Sequence, residues 1–315
     1  MSHIRLRSAY KALGLVSQLR QKEGRQAVDI LMRLGLSVTP AMDWTRRLKI
    51  AAAPLEYMRR AANVPSARED WQAHLATEHY TKVAPGAFEG VSELLAHCDG
   101  LFERKKDQIV QSFEPPFTHV NERVSGGLVH GADDLKPIFK FLAQPAVFNA
   151  VASYLNEKPV LAQINLAYTA PNNEISSSQL FHRDMQDRVQ VHLYVPIWKM
   201  TEENGPFTFY SGPTTDRFVE EYKKDFVRLN DDEVFSVIGT SDLKKISAEP
   251  GDLFFVNPFR CLHYGARCRS KPRLVMIVNF TSVFEGVEGL DRIYRASNRH
   301  VLDTGTPESR WLLNL

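Results

Sequence analysis

The chain has 315 residues, of which 43% are hydrophobic and 24% are charged, and its net charge is only +2. This balance is typical of a globular protein with a sizeable core; it excludes a disordered chain and gives no argument for a nucleic-acid-binding protein. The apolar runs are far shorter than the roughly 20 residues that cross a bilayer, so no transmembrane segment is predicted.

The N-terminus is basic and helical in pattern. Met1–Leu15 lacks the sustained apolar run of a secretory signal, so we expect a cytoplasmic protein. Apolar residues recur at helical spacing from Arg5 to Arg60, which predicts three or four helices. Residues 1–70 hold 13 Lys and Arg against 6 Asp and Glu, a local net charge of +7. We expect a basic helical extension with a solvated face; peripheral contact with a membrane surface or an acidic partner stays open as an alternative.

The pattern changes from helical to strand-like along the chain. Pro85–Asp107 and Leu135–Leu155 keep helical spacing, whereas alternation with a period of two begins after Pro159. Strands are predicted at Val160–Tyr168, Gln179–Arg183, Val189–Ile197, Pro206–Tyr210, Glu233–Ile238, Asp252–Asn257 and Arg273–Thr281. Helices followed by short strands indicate an α+β fold, in which a sandwich or open barrel is covered by helices. The three cysteines are expected to be reduced thiols.

Three residues have the chemistry of an iron site. His182 and Asp184 stand two apart in a predicted strand, so their side chains project from the same face. His263 follows the strand Asp252–Asn257 and offers a third ligand. Two His and one carboxylate with open positions are typical of a non-haem Fe(II) centre that binds a cosubstrate and O2. A second His-x-Asp, His97-Cys98-Asp99, lies in a helical pattern that separates the side chains, and we interpret it as structural.

The order of features from about residue 75 to 283 resembles the phytanoyl-CoA dioxygenase-like family of Fe(II)/2-oxoglutarate-dependent oxygenases. The segment Thr201–Gly212, which contains Glu203-Asn204-Gly205-Pro206, is the most specific stretch, and the helix Pro145–Leu155 is similar to the helix that precedes the first barrel strand. The resemblance implies a double-stranded β-helix (jelly-roll, cupin-like) core over residues 71–284, with 1–70 as an extension and 285–315 as a tail or lid.

The resemblance also implies roles for individual residues. His182, Asp184 and His263 would bind Fe(II), and Arg273 would bind the far carboxylate of 2-oxoglutarate. Many family members have a Ser two residues after the distal histidine, where this chain has Gly265. Thr208, Tyr194 or another barrel residue is therefore expected to supply the missing hydrogen bond to 2-oxoglutarate.

The implied reaction is hydroxylation of a small organic substrate by O2, with release of succinate and CO2. An anionic substrate is expected because arginines gather near the predicted barrel mouth. The candidate substrate-binding residues are Arg183, Arg188, Arg260, Arg267 and Trp198. Two alternatives stay open: a cupin-like metal-binding protein or isomerase that needs no Arg273, and an oxygenase that modifies a macromolecule recruited by residues 1–70.

Overall fold

The structure is a computed structural model. It describes residues 53–313 apart from gaps at 67–68, 85, 112–118, 124–131, 172–174, 176, 185–187, 223–227 and 283–298, and it also describes residues 43, 46, 47, 50 and 51. The helices are α1 (Pro54–Ala61), α2 (Asp70–Glu78), α3 (Val91–Gln111), α4 (Ala132–Leu142), α5 (Pro145–Leu155), α6 (Gly212–Tyr222), α7 (Asp231–Ile238), α8 (Arg299–Leu302) and α9 (Pro307–Leu313). The strands are β1 (Tyr80–Val83), β2 (His119–Arg123), β3 (Val160–Thr169), β4 (Gln190–Pro196), β5 (Phe207–Phe209), β6 (Lys244–Ile246), β7 (Leu253–Val256), β8 (His263–Tyr264) and β9 (Arg273–Thr281).

The strands form two antiparallel sheets. The large sheet has the order β1-β7-β4-β9-β3-β2, and the small sheet has the order β6-β5-β8. A bridge between His182 and His263 adds the segment around residue 182 to the small sheet beside β8. From β3 onwards the chain crosses repeatedly between the two sheets, with β5 and β6 both in the small sheet, as in a jelly roll. This topology confirms the expected α+β double-stranded β-helix.

The two faces of the large sheet carry different residues. On its outer face, Val191, Leu193 and Met276 pack in one core with the buried residues of α3, α4 and α5. On its inner face, which is turned towards the small sheet, Tyr194 and Val275 pack in a second core that includes Phe207 and Phe209 of β5. Side chains of a strand alternate between faces, so β4 is buried on both sides.

One predicted strand is wrong. Glu233–Ile238 forms most of helix α7. The side chain of Asn230 accepts a hydrogen bond from the backbone N–H of Glu233, and the Glu233 carboxylate accepts one from the backbone N–H of Asn230. This capping box starts a helix where the apolar alternation alone favours a strand. The predicted strand Gln179–Arg183 is reduced to the bridges made by Phe181 and His182.

Few residues of the basic N-terminal extension are described. The predicted helices before Pro54 lie almost wholly outside the described residues, whereas α1 is a helix. Arg59 and Arg60 of α1 place their guanidinium groups 4.9 and 5.0 Å from the ring of Trp311 in α9. In the part of the chain that the structure describes, no helix has the length and apolar character needed to cross a membrane.

Candidate metal centre

The structure brings His182, Asp184 and His263 together. One potential ligand atom from each of the three lies within 4.8 Å of the other two. Nε2 of His182 is 3.6 Å from Oδ1 of Asp184, and the two imidazole centroids are 4.4 Å apart. The two histidines are buried, and the Asp184 side chain is 30% exposed. Two imidazoles and one carboxylate grouped in this way suit a divalent transition metal.

Backbone pairing places the two histidines. The N–H of His182 donates to the carbonyl of His263 at 2.8 Å, and the N–H of His263 donates to the carbonyl of His182 at 3.0 Å. Directly paired residues of antiparallel strands project to the same face. His263 is also paired with Phe209 of β5, whose side chain belongs to the inner core. Both imidazoles therefore point into the space between the sheets.

Hydrogen bonds to the backbone fix the tautomer of each histidine. Nδ1–H of His182 donates to the carbonyl of Leu180 at 2.8 Å, and Nδ1–H of His263 donates to the carbonyl of Cys261 at 2.9 Å. In both rings Nε2 is left with its lone pair. A metal-binding histidine is commonly oriented in this way by a carbonyl on its other nitrogen.

The local electrostatics favour the protonation states that a metal needs. Burial, together with the neighbouring His263, lowers the pKa of His182 to about 4, although Asp184 acts in the opposite direction. Burial also lowers the pKa of His263. Burial alone would raise the pKa of Asp184, but His263 and His182 outweigh it, so the net direction is down. Neutral imidazoles and an ionised carboxylate can bind a metal without first losing a proton.

Arg273 is a buried cation at the start of β9, and it is 3% exposed. Its Nη1 donates to the carbonyl of Gly205 at 2.9 Å, whereas its Nε has no hydrogen-bond partner among the described residues. No described carboxylate forms an ion pair with it, and burial lowers its pKa. A buried guanidinium is expensive to leave uncompensated, so an acceptor for it is expected from a ligand.

The two candidate cofactor-binding residues differ in their placement. Tyr194 lies on the inner face and is close enough for the charges of both Asp184 and Arg273 to act on its hydroxyl, whose pKa is raised chiefly by burial. Thr208 is placed elsewhere. It alternates with Phe207 and Phe209, whose rings occupy the inner core, so its side chain is on the other face of β5, and its hydroxyl donates to the carbonyl of Pro206 at 3.2 Å. The structure therefore does not bring Thr208 to the metal centre.

The candidate arginines of the barrel mouth are already engaged. Arg188 pairs with Asp43, Arg260 pairs with Asp216 at 2.5 Å, and both terminal nitrogens of Arg267 pair with Asp231 at 2.8 and 2.7 Å. Arg183 donates from Nε to the carbonyl of Phe259 at 2.6 Å. The expectation of an anionic substrate gains no support from these side chains.

Trp198 lies on the helix side of the large sheet. Its indole N–H donates to Asp99 of α3 at 2.8 Å, and its ring meets Phe102 and Tyr168 edge to face. It packs against the outer core, so the structure does not place it in the space between the sheets. The second His-x-Asp is helical as predicted, and His97 there binds the carbonyl of Asp134 at 2.7 Å.

Three residues near the centre were missed by the sequence reasoning. Arg228 is exposed, and its charge acts on His182, Asp184 and His263. Gln190 donates from Nε2 to the carbonyl of Asp184 at 3.1 Å, and the charge of Asp184 acts on His192. The alternation of β4 points Gln190 and His192 to the same face as Tyr194, which was a signal available in the sequence.

Comparisons with known proteins agree with this fold. No family model and no curated protein matches the chain. Among solved structures, the chain is similar to EctD from S. alaskensis with 2-oxoglutarate and 5-hydroxyectoine, with 14% identity over 74% of this chain and 87% of that one and a TM-score of 0.51. EctD from S. alaskensis with bound Fe matches over the same shares of the two chains, with 14% identity and a TM-score of 0.50. At this identity the likeness concerns the fold alone.

Proposed function

We propose that this protein is an Fe(II)/2-oxoglutarate-dependent dioxygenase that hydroxylates a small organic substrate and releases succinate and CO2. The observation that carries the proposal is a combination within one barrel: a His-Asp-His group that could hold a metal, and the buried Arg273, which has no carboxylate partner among the described residues. Similar solved structures hold iron or 2-oxoglutarate, which supports the same reading of this chain.

The residues present fit Fe(II). Each histidine offers Nε2, because its Nδ1–H is committed to a backbone carbonyl, and Asp184 offers a carboxylate oxygen. The three would hold Fe(II) and would leave its other coordination positions for ligands that are not part of the protein, as in other sites with two histidines and one carboxylate. Fe(II) with 2-oxoglutarate supplies the activation of O2 for attack on a C–H bond.

The other residues of the centre are suited to binding 2-oxoglutarate and to shielding the metal ligands from solvent. Arg273 can pair with the far carboxylate of 2-oxoglutarate through two N–H donors, which matches the planar fork of a guanidinium. Tyr194 is near both Asp184 and Arg273, so its hydroxyl is suited to the same cosubstrate. The ring of Phe207 stacks on His263 with centroids 5.2 Å apart, and Tyr194 stacks on Phe254 at 4.7 Å. These buried rings cover the His263 side of the centre, and the lower local dielectric strengthens the electrostatic interactions there.

The proposal is tested by succinate formation from 2-oxoglutarate in air, with and without Fe(II). We expect iron-dependent succinate from the wild type and a loss of at least about 100-fold in His182→Ala and Arg273→Met, because each removes a group proposed to bind iron or 2-oxoglutarate. The matched control is His97→Ala, which removes the histidine of the helical His-x-Asp and should leave turnover unchanged.

The same variants separate the alternatives. Tight binding of a divalent metal that depends on His182, without succinate and without any effect of Arg273→Met, would favour the cupin-like metal-binding protein or isomerase. Succinate formation that depends on residues 1–70 only when a macromolecule is present would favour the macromolecule-modifying oxygenase.

A further inference from the structure

A row of polar side chains follows the inner face of the large sheet next to the metal centre. In the register of β4 and β9, Gln190 is opposite Thr281 and His192 is opposite Asn279. Gln190 and His192 alternate with Val191 and Leu193, which belong to the outer core, so the polar side chains are on the inner face. All four polar residues are buried, with 7% exposure or less.

Several polar atoms of this row are left without partners. Oε1 of Gln190 and Oγ1 of Thr281 have no hydrogen-bond partner among the residues that the structure describes. The ring nitrogens of His192 make no hydrogen bond of standard geometry there, although the Asn279 side chain is close enough to act on the pKa of the ring. Buried polar atoms are nearly always satisfied in native proteins, and each exception calls for an explanation. The exceptions at Gln190 and Thr281, which are paired across β4 and β9, point to a ligand that supplies the missing hydrogen bonds and that the neighbouring His192 ring could also bind.

The row and Arg273 lie at opposite ends of β9. Arg273 opens β9 and Thr281 ends it, and nine residues of strand span about 25–30 Å at most. Tyr194 is within electrostatic reach of both Arg273 and Asp184, whereas His192 is within reach of Asp184 and His263. Gln190 binds the backbone carbonyl of Asp184 at 3.1 Å. If 2-oxoglutarate occupies the Arg273 side, the polar row borders the side left for the substrate.

The chemistry of the row selects one class of group. Gln190 offers an acceptor, a neutral imidazole offers one donor and one acceptor, and the Thr281 hydroxyl can do either. The best partner both donates and accepts, as a hydroxyl group does. A carboxylate or phosphate only accepts, so it would face the lone pairs of Gln190 unfavourably, and the row contains no cation to balance its charge.

We propose that Gln190, His192 and Thr281 bind hydroxyl groups of a neutral, polyhydroxylated substrate such as a polyol or sugar. The inference that this row binds the substrate rests on the proposed oxygenase function. It replaces the expectation of an anionic substrate. The unpartnered atoms are buried, so binding of such a substrate requires a rotation of the His192 or Gln190 side chain.

The test uses three probes with the same six-carbon hydroxyl chain: sorbitol, gluconate and sorbitol 6-phosphate. Binding to the full-length, metal-loaded protein is measured by calorimetry under anaerobic conditions with 2-oxoglutarate present, so no turnover is needed. We expect saturable binding of sorbitol and at least roughly tenfold weaker binding of both charged probes. His192→Leu and Thr281→Val should each weaken sorbitol binding by about tenfold or more, in line with the loss of one hydrogen bond.

The control variant is Thr81→Val, which makes the same change at a buried threonine of β1, where Thr81 pairs with the outer-core residue Phe255. It should leave sorbitol binding unchanged. Tighter binding of the charged probes that Arg228→Gln abolishes would overturn the proposal and assign the substrate to Arg228. The proposal would also be overturned if no probe binds saturably, or if His192→Leu and Thr281→Val leave sorbitol binding unchanged.

The oxygenase function and the polyol site can be rejected independently of each other. Sorbitol binding that depends on the row, without iron-dependent succinate, would keep the polyol site and reject the oxygenase. Iron-dependent succinate without row-dependent binding would do the reverse.

Discussion

His182 and His263 exchange both of their backbone hydrogen bonds, at 2.8 and 3.0 Å, so the ladder of the small sheet holds the two candidate metal ligands side by side on one face. The backbone of the fold therefore holds these two ligands in position. Binding to such a preformed site stabilises the folded protein by mass action.

We predict that Fe(II) added without oxygen raises the free energy of unfolding of the metal-free protein by about 2.7 kcal/mol at a hundredfold excess over the dissociation constant. Urea unfolding measures this. His263→Ala should abolish the gain, and His97→Ala should keep it. Because the pKa of His182 is about 4, the gain should persist down to about pH 6. An equal gain in His263→Ala would show that the metal binds elsewhere.

Arg273→Met should weaken the binding of 2-oxoglutarate and leave the stability of the protein nearly unchanged. Arg273 has no described ion-pair partner, so replacing it by an apolar side chain should change the free energy of unfolding by no more than about 1 kcal/mol. Binding of 2-oxoglutarate to the metal-loaded protein, followed by calorimetry, should weaken by roughly 10- to 100-fold, because a charge-assisted interaction is lost. Arg217→Met, at an exposed pair with Asp242, is the control and should bind 2-oxoglutarate normally. A large loss of stability with unchanged binding would make Arg273 structural.

Two glycines near Arg273 should respond differently to alanine. A Cβ at Gly265 would meet Nη2 of Arg273 at an ordinary 3.8 Å, so Gly265→Ala should change stability by less than about 1 kcal/mol. Gly205 has φ +72°, and a Cβ there would lie 2.8 Å from the backbone nitrogen of Arg267. Gly205→Ala should cost about 2 kcal/mol or more and disturb the carbonyl that binds Arg273. Thermal unfolding checks both, and equal effects would contradict the assigned geometry.

Removal of Arg46 should expose the cost of an uncompensated buried charge. Arg46 pairs with Glu157 at 2.5 Å, and the Glu157 side chain is fully buried. Arg46→Met should destabilise the protein by about 3–5 kcal/mol in urea unfolding, because the carboxylate loses its cation. Adding Glu157→Gln to that variant should recover much of the loss. If Arg46→Met alone is as stable as the wild type, another group must compensate the charge of the Glu157 carboxylate.

Stability should fall with acid partly through His79. Burial, aided by the charge of Arg260, lowers the pKa of His79 to about 4, and the ring bonds the Tyr154 hydroxyl through Nδ1 at 2.8 Å. The unfolded chain binds a proton near pH 6.5, whereas the folded chain does so only near pH 4, so stability present above pH 6.5 is lost as the pH falls towards 4. His79 should contribute a loss on the order of 1–2 kcal/mol between pH 7 and pH 5. His79→Gln should show a correspondingly smaller fall in urea unfolding, and an unchanged fall would exclude His79 as the cause.

The strand pattern after Pro159 predicted most of the barrel correctly because alternation reports directly which face of a strand is buried. It failed at Glu233–Ile238, where the capping box of Asn230 and Glu233 outweighs the alternation. The strands β1, β2, β6 and β8 were not predicted, since strands of two to five residues have little pattern of their own and are defined by their partners.

The sequence by itself determined the fold class and the three metal-ligand candidates, because side-chain type, spacing of two and strand context are local properties. Only the tertiary structure decided which polar residues share the space between the sheets. In the structure, the side chains of Thr208 and Trp198 lie outside the space between the sheets. Ion pairs with acids distant in the chain are made by Arg188, Arg260 and Arg267. Gln190 and His192 lie near Asp184. Contacts of this kind depend on strand register and chain crossing, which a linear pattern does not specify.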